Sequence, residues 1–244
     1  MRITLSIFFR AAVVVLCAII ILEGALVWAN FRTRRRAEAL FASLQGLQIG
    51  ASTSEDVQPI LASYNVQQET TANCYTMPSA ASYSILVTNN TVDYLGYTFP
   101  MLLRLGIRPV SFTAMLSFAD DRLCQAYYSS GVLVSGSRFS DEQQKGMKVI
   151  ELTAATRLEA SQKGPPQANY SVRPLGSLLR GFRWQGWHFG IEAEVTPSAT
   201  PTEIKHAMTF DLSCFTSLRG CITPGEMLPL VAEDAAQAGG TKLP

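Results

Sequence analysis

AAVVVLCAIIILEGALVWA, residues 11–29, is an apolar run broken only by Glu23 and Gly24. Arg10 precedes it and Arg32, Arg34, Arg35 and Arg36 follow. Nineteen helical residues at about 1.5 Å each reach roughly 28 Å, close to the ~30 Å hydrocarbon core of a bilayer. The run therefore reads as a transmembrane signal-anchor helix over residues 11–31. Trp28 and Phe31 suit one membrane interface, and Arg10 can snorkel at the other. A cleaved signal peptide is the second reading, with Val27-Trp28-Ala29 as the small-residue site. A buried core helix is the third, and arginine flanks around so long a run argue against it. Glu23 falls toward one end of the run, where a carboxylate costs less than at the centre. Cys17 reads as a small apolar residue of the span.

Charge divides the chain in two. Residues 1–36 carry six Lys/Arg and one acid, a net of +5, and the remainder carries 14 against 18, a net of −4. The collar Arg32, Arg34, Arg35 and Arg36 is suited to anionic headgroups, so the bilayer is the expected partner. No basic patch remains in the domain to suggest nucleic acid. The same collar outnumbers Arg2 and Arg10, and by the positive-inside rule it would put the domain in the cytoplasm.

Cysteine usage points the other way. Cys74, Cys124, Cys214 and Cys221 make an even set in the domain. Cys214 and Cys221 enclose a six-residue loop that a disulfide can close, which leaves Cys74 with Cys124. A disulfide implies an oxidising compartment, so the domain is expected outside the cytoplasm. Four buried free thiols are the alternative. No Cys-x2–4-Cys pair exists, so zinc is not expected.

After the span, Ala37, Leu40, Phe41, Leu44 and Leu47 recur at helical spacing and continue the helix. Ser52-Thr53-Ser54-Glu55-Asp56-Val57 is a capping-box helix start, with Val57, Ile60 and Leu61 on one face and Pro59 a turn in. Period two then takes over. Tyr83 to Thr88 reads as a strand ending at Asn89-Asn90, and Leu102 to Leu105 as one helical turn. Phe112, Ala114, Leu116 and Phe118 alternate with polar residues up to Asp120-Asp121, and Leu123 to Tyr128 returns, as in a hairpin. Val132 to Val134 and Lys148 to Thr153 extend the sheet. Lys163 to Gln167 is a loop. Phe189, Ile191, Ala193 and Val195 alternate with His188, Gly190, Glu192 and Glu194, and Met208, Phe210 and Leu212 with Thr209, Asp211 and Ser213. These two runs are expected to form a long-looped antiparallel hairpin.

Candidate chemistry is sparse. There is no Gly-rich phosphate loop, Gly-x-Ser-x-Gly elbow, His-Glu-x-x-His or Cys-x-x-Cys, so no catalytic, cofactor or metal residue is assigned. His188 and His206 begin opposite strands of the expected hairpin, too far apart to share a metal. Glu192, Glu194 and Asp211 fall on one polar face of it, which would suit a carboxylate hydrolase or a solvated surface. Gly181 to Phe189 is the densest aromatic stretch. Arg183, Trp184, Trp187 and His188 there are the candidate binding surface, against core packing at a strand entry.

Leu47-Gln48-Ile49-Gly50-Ala51-Ser52-Thr53-Ser54-Glu55-Asp56-Val57, with strands following, resembles the opening of the small lipoprotein fold of the outer-membrane β-barrel assembly machinery. That resemblance implies an envelope scaffold without catalysis. The likeness spans about 20 of the 244 residues. The family's lipoprotein cysteine is missing, and this chain is about twice as long.

The expected architecture is α+β, a transmembrane helix followed by a mostly antiparallel sheet domain with a helical start. Its parts are a flank at 1–10, the span at 11–31, a basic collar with membrane-proximal helices at 32–64, the domain at 65–232 and a flexible tail at 233–244. The expected role is a single-pass, extracytoplasmic, non-enzymatic binding or scaffold module of the cell envelope, its partner a protein or another envelope component. An envelope hydrolase and a cytoplasm-facing membrane adaptor are the alternatives.

Overall fold

The computed structural model describes residues 2–74, 77–139, 147–159, 169–177, 186–195, 199–217 and 219–237, with side chains described outside 2–8, 69–80, 169–177 and 186–188. It is α+β. A 43-residue helix, α1 (Arg2–Leu44), leads into a seven-stranded sheet that carries helices. The span and the segment after it are one unbroken helix. No proline interrupts the join. Thr33 Oγ1 donates to Ala29 O at 3.1 Å, and Arg34 bonds Glu38 one turn on at 2.6 Å. From Phe9 the helix is long and apolar enough to cross a membrane.

The sheet order is β1-β2-β3-β4-β5-β7-β6. The strands are β1 (Val66–Cys74), β2 (Met77–Val87), β3 (Val110–Ala119), β4 (Arg122–Ser135), β5 (Val149–Glu159), β6 (Asn169–Ser177) and β7 (Gly186–Val195). Every neighbouring pair is antiparallel except β5–β7. The β3–β4 hairpin turns through Asp120 and Asp121, both at positive φ (50° and 60°). Two such residues make the twisted two-residue turn that matches the strands on either side. Asp121 also accepts from the backbone and hydroxyl of Ser54, which ties the turn to α2 (Ser54–Leu61). The Thr53–Asp56 capping box starts that helix, and Val57 and Leu61 are its buried face.

One face of the sheet is the core. Phe112, Ala114 and Leu116 on β3 pair across to Ser130, Tyr128 and Ala126 on β4, and Leu152, Ala154, Ile191 and Ala193 continue the face. The stripe Ala37, Leu40, Phe41 and Leu44 of α1 lies on it. Phe41 meets Phe112, Tyr128 and Phe210 edge-on, with ring centroids 5.7, 5.5 and 5.1 Å away. Lower on α1, Leu26 is buried against Val92 and Ile107, and Asn30 Nδ2 donates to Arg108 O at 2.8 Å. Two short helices, α3 (Asn90–Thr98) and α4 (Met101–Arg104), are therefore pinned against α1 at the end of the domain nearest the apolar run.

Three expectations are corrected. Residues 208–212 are not a strand. Thr200-Pro201-Thr202-Glu203 is a capping box with proline at the first turn, and it starts α5 (Pro201–Ala207) where the hairpin was expected. Phe210 and Leu212 alternate because they pack into the core. The Asp211 amide donates to Met227 O instead of a ladder. Asn89-Asn90 does more than end a strand, since Asn89 caps α3 by accepting from the Thr91 and Val92 amides. Glu233 to Gln237, expected to fray, close α6 (Pro229–Gln237), where Val231 and Ala235 are buried. Lys163 to Gln167 lie outside the described residues.

Because Leu40 is fully buried, Leu40→Ala is expected to lower stability by about 2–5 kcal/mol. Thermal unfolding of the full chain in detergent checks this. Leu16→Ala, on the exposed part of the same helix, should leave the domain's midpoint unchanged.

Candidate functional site: an acidic pocket between helix and sheet

The face of the sheet opposite the core is polar. Ser111, Gly131 and Glu151 lie on it, one from each of β3, β4 and β5, because the next residue of each strand, Phe112, Val132 and Leu152, is in the core. Here α3 and α4 close over the end of the strands. The result is a cavity of about 190 Å³, lined by Leu86, Thr88, Asp93, Tyr97, Pro109, Val110, Ser111, Gly131, Leu133 and Glu151.

Each polar group has a structural reason to be there. Asp93 stands in the first turn of α3, and Thr88 Oγ1 donates to its Oδ2 at 2.5 Å. The Glu151 carboxyl lies over Gly131. A Cβ at that glycine would come within 2.7 Å of Glu151 Oε1 and 2.9 Å of Ser111 Oγ. Tyr97 comes from the last turn of α3 and packs against Leu103, Leu133 and Val149.

Burial shapes the acid–base character of the pocket. It pushes the Glu151 carboxyl up to about 7, with the negative charge of Asp93 adding to the effect. Burial also raises Asp93, and the Thr88 hydroxyl partly offsets this by bonding the carboxylate. Tyr97 is pushed up to about 12 by burial, then by Glu151 and Asp93, so its hydroxyl stays a donor. The pocket thus presents one carboxyl that exchanges its proton near neutrality, a second acid, and fixed hydroxyls. That set can hydrogen-bond a small polar group.

The residues singled out in the sequence lie elsewhere. Glu192 is held by Arg157 at 3.4 Å, and Arg157 also reaches Glu159 at 3.8 Å and lies over Tyr127. Glu192 and Glu194 lie on the polar face, between the core residues Ile191, Ala193 and Val195, whereas Asp211 follows α5 on the core side. The three acids therefore do not converge, which removes the structural basis of the carboxylate site expected for them. His206 Nδ1 lies 2.8 Å from Asp234 Oδ2 and joins α5 to α6. Arg183 and Trp184 lie outside the described residues. Trp187 and His188 are described only as backbone of β7.

Cys214 and Cys221 are joined by a disulfide with Cα atoms 4.9 Å apart. Cys124 is disulfide-bonded as well, and its expected partner Cys74 has a side chain outside the described ones. In the collar, Arg34 bonds Glu38 and Thr216, Arg32 lies over Trp28, Arg35 over Phe31 and Arg36 over Tyr64. Among the described residues no group of three or more His, Cys, Asp or Glu could hold a metal ion.

Sequence reasoning missed the pocket because its residues come from four separate segments. Two signals were available. Asn89 followed by Asp93 in a first helical turn is a helix start, and Glu151 is a lone carboxylate inside the apolar run Val149-Ile150-Glu151-Leu152. Compared with known proteins, the chain matches no family model, no curated protein and no solved structure.

The raised Glu151 group fixes a pH dependence. Below about 4.5 both folded and unfolded chains hold the proton, and above about 7 both have lost it. Between those values only the folded state keeps it, so stability falls as pH rises, by on the order of 3 kcal/mol in all. Glu151→Gln should therefore be more stable than wild type above pH 7, with the gap closing toward pH 4.5. Urea unfolding across that range reads it, and a gap of constant size would show that burial does not control this carboxyl.

Proposed function

We propose that this chain is a single-pass, membrane-anchored binding or scaffold module of the cell envelope, without enzymatic activity, with its domain outside the cytoplasm. The observation that carries the reading is α1 itself. Its N-terminal half presents exposed apolar side chains from Phe9 to Leu22, and its C-terminal half is a buried element of the domain core. A helix shared in this way holds the domain at a fixed distance and orientation from the bilayer. That suits a protein whose task is to position something.

The bonded cysteines Cys124, Cys214 and Cys221 support the extracytoplasmic side, since disulfides persist in oxidising compartments. The arginine collar argues for the other side by the positive-inside rule, but it also serves the fold through Arg34 and the stacked Arg32, Arg35 and Arg36. A scaffold role agrees with what the resemblance at Leu47–Val57 implies. Its partner would be a protein or another envelope component.

Labelling of intact cells with a membrane-impermeant, mass-adding maleimide tests the side, in a Cys17→Ala background. A mass shift that appears only after reduction is the expected result. Thiols that react without reduction, and only after lysis, would put the domain in the cytoplasm. Crosslinking of intact membranes tests the binding role, and a domain that forms no adduct would overturn it.

A further inference from the structure

We propose that the α3–α4 pair is a second membrane contact, resting in the boundary between headgroups and acyl chains beside the exit of α1. The inference depends on the anchoring reading of α1 and adds where the domain sits relative to the bilayer.

The apolar run between Arg10 and Arg32 covers the 19 residues from Ala11 to Ala29, and the domain takes hold of it at Leu26, in its last turn. At 1.5 Å each its residues reach ~28 Å, close to the ~30 Å hydrocarbon core. With Arg10 at one face of the bilayer, the opposite hydrocarbon boundary falls at the level of Leu26–Ala29. The domain residues packed at that level are Val92, Leu95, Leu102 and Ile107, all from α3, α4 and the loop that follows. Burying the run to its end at Ala29 therefore brings the two helices to the interface.

Their outer surfaces suit that place. Tyr94 is 67% exposed, Phe99 48%, Met101 70% and Leu105 58%. Four large apolar or aromatic side chains on two short helices form a costly surface in water. In the interface their rings and chains meet acyl carbons while the tyrosine hydroxyl stays wet. The cations match as well. Arg104 is exposed on α4, and Arg32 and Arg35 stand on α1 within two turns of Trp28. All three can reach lipid phosphates. Trp28, itself 57% exposed, stacks on Phe31 at 5.6 Å and belongs to the same aromatic belt. The far end of the domain, by contrast, carries the Asp120–Asp121 turn and the polar start of α2.

The test uses the full chain in lipid nanodiscs with spin labels and two collision reagents, oxygen and a water-soluble nickel chelate. Cys17, the free cysteine among the described residues, reports on the anchor when labelled directly. In a Cys17→Ser background, Met101→Cys and Leu105→Cys report on α4, and Gln58→Cys on the exposed side of α2 is the reference. The expected result is a label at Cys17 deep in the hydrocarbon and labels at 101 and 105 about 5–10 Å into the boundary. The label at 58 should collide freely with nickel. Labels at 101 and 105 as open to nickel as the one at 58, with Cys17 deep, would overturn the contact and leave the anchor standing. Low collision with both reagents at 101 and 105 would show a protein partner on this face and overturn it too. A Cys17 label open to nickel would remove the anchor and the contact together.

Discussion

The packing of Phe41 and its neighbours on α1 against the sheet is the contact on which the rest of the structure depends. Three aromatic rings, Phe112, Tyr128 and Phe210, surround Phe41 edge-on, and Ala37, Leu40 and Leu44 complete a stripe with almost no exposed surface. Each ring comes from a different part of the chain, so one side chain holds β3, β4 and the segment after α5 together. Because the same helix continues without a break into the apolar run, the core is mechanically continuous with that run. A flexible linker between the two would let the domain swing, and a helix does not.

A sheet covered on one side by α1 and the C-terminal helices leaves its other side for polar residues. That side carries Arg157 between Glu159 and Glu192 near one end of the strands and the Glu151–Asp93 pocket at the other. The two acidic groups behave differently because their surroundings differ. Arg157 supplies a cation to the first, whereas burial and a second negative charge dominate at Glu151. The pocket and the proposed membrane contact share α3, which faces the sheet with Asp93 and Tyr97 and the outside with Tyr94.

Much of this was legible residue by residue. The long apolar run, the Thr53–Asp56 cap, the alternation from Phe112 to Phe118 and the Asp120–Asp121 turn are local signals, and each found its element. The failures have one cause. At 208–212 apolar and polar residues alternate as in a strand, although packing against a neighbouring ring gives the same sequence pattern as a ladder. The Thr200–Glu203 capping box was the stronger signal, and it lay inside the stretch taken as a loop. The Glu192, Glu194 and Asp211 grouping failed with it, because their shared face depended on that pairing.

What the sequence determined by itself follows from neighbours a few residues apart. Helix and strand periods, caps and turns depend on local sterics and hydrogen bonds, so the long apolar helix, the α+β class and the disulfide loop at Cys214–Cys221 could be read directly. The tertiary structure alone decided the place of β7 between β5 and β6, the hold of Leu26 and Asn30 on α3 and the loop after it, and the approach of Glu151 to Asp93. The β5–β7 partners lie 37 positions apart and the Glu151, Asn30 and Leu26 contacts 58 to 81, so their formation is set by the packing of the whole chain and leaves no periodic trace in it.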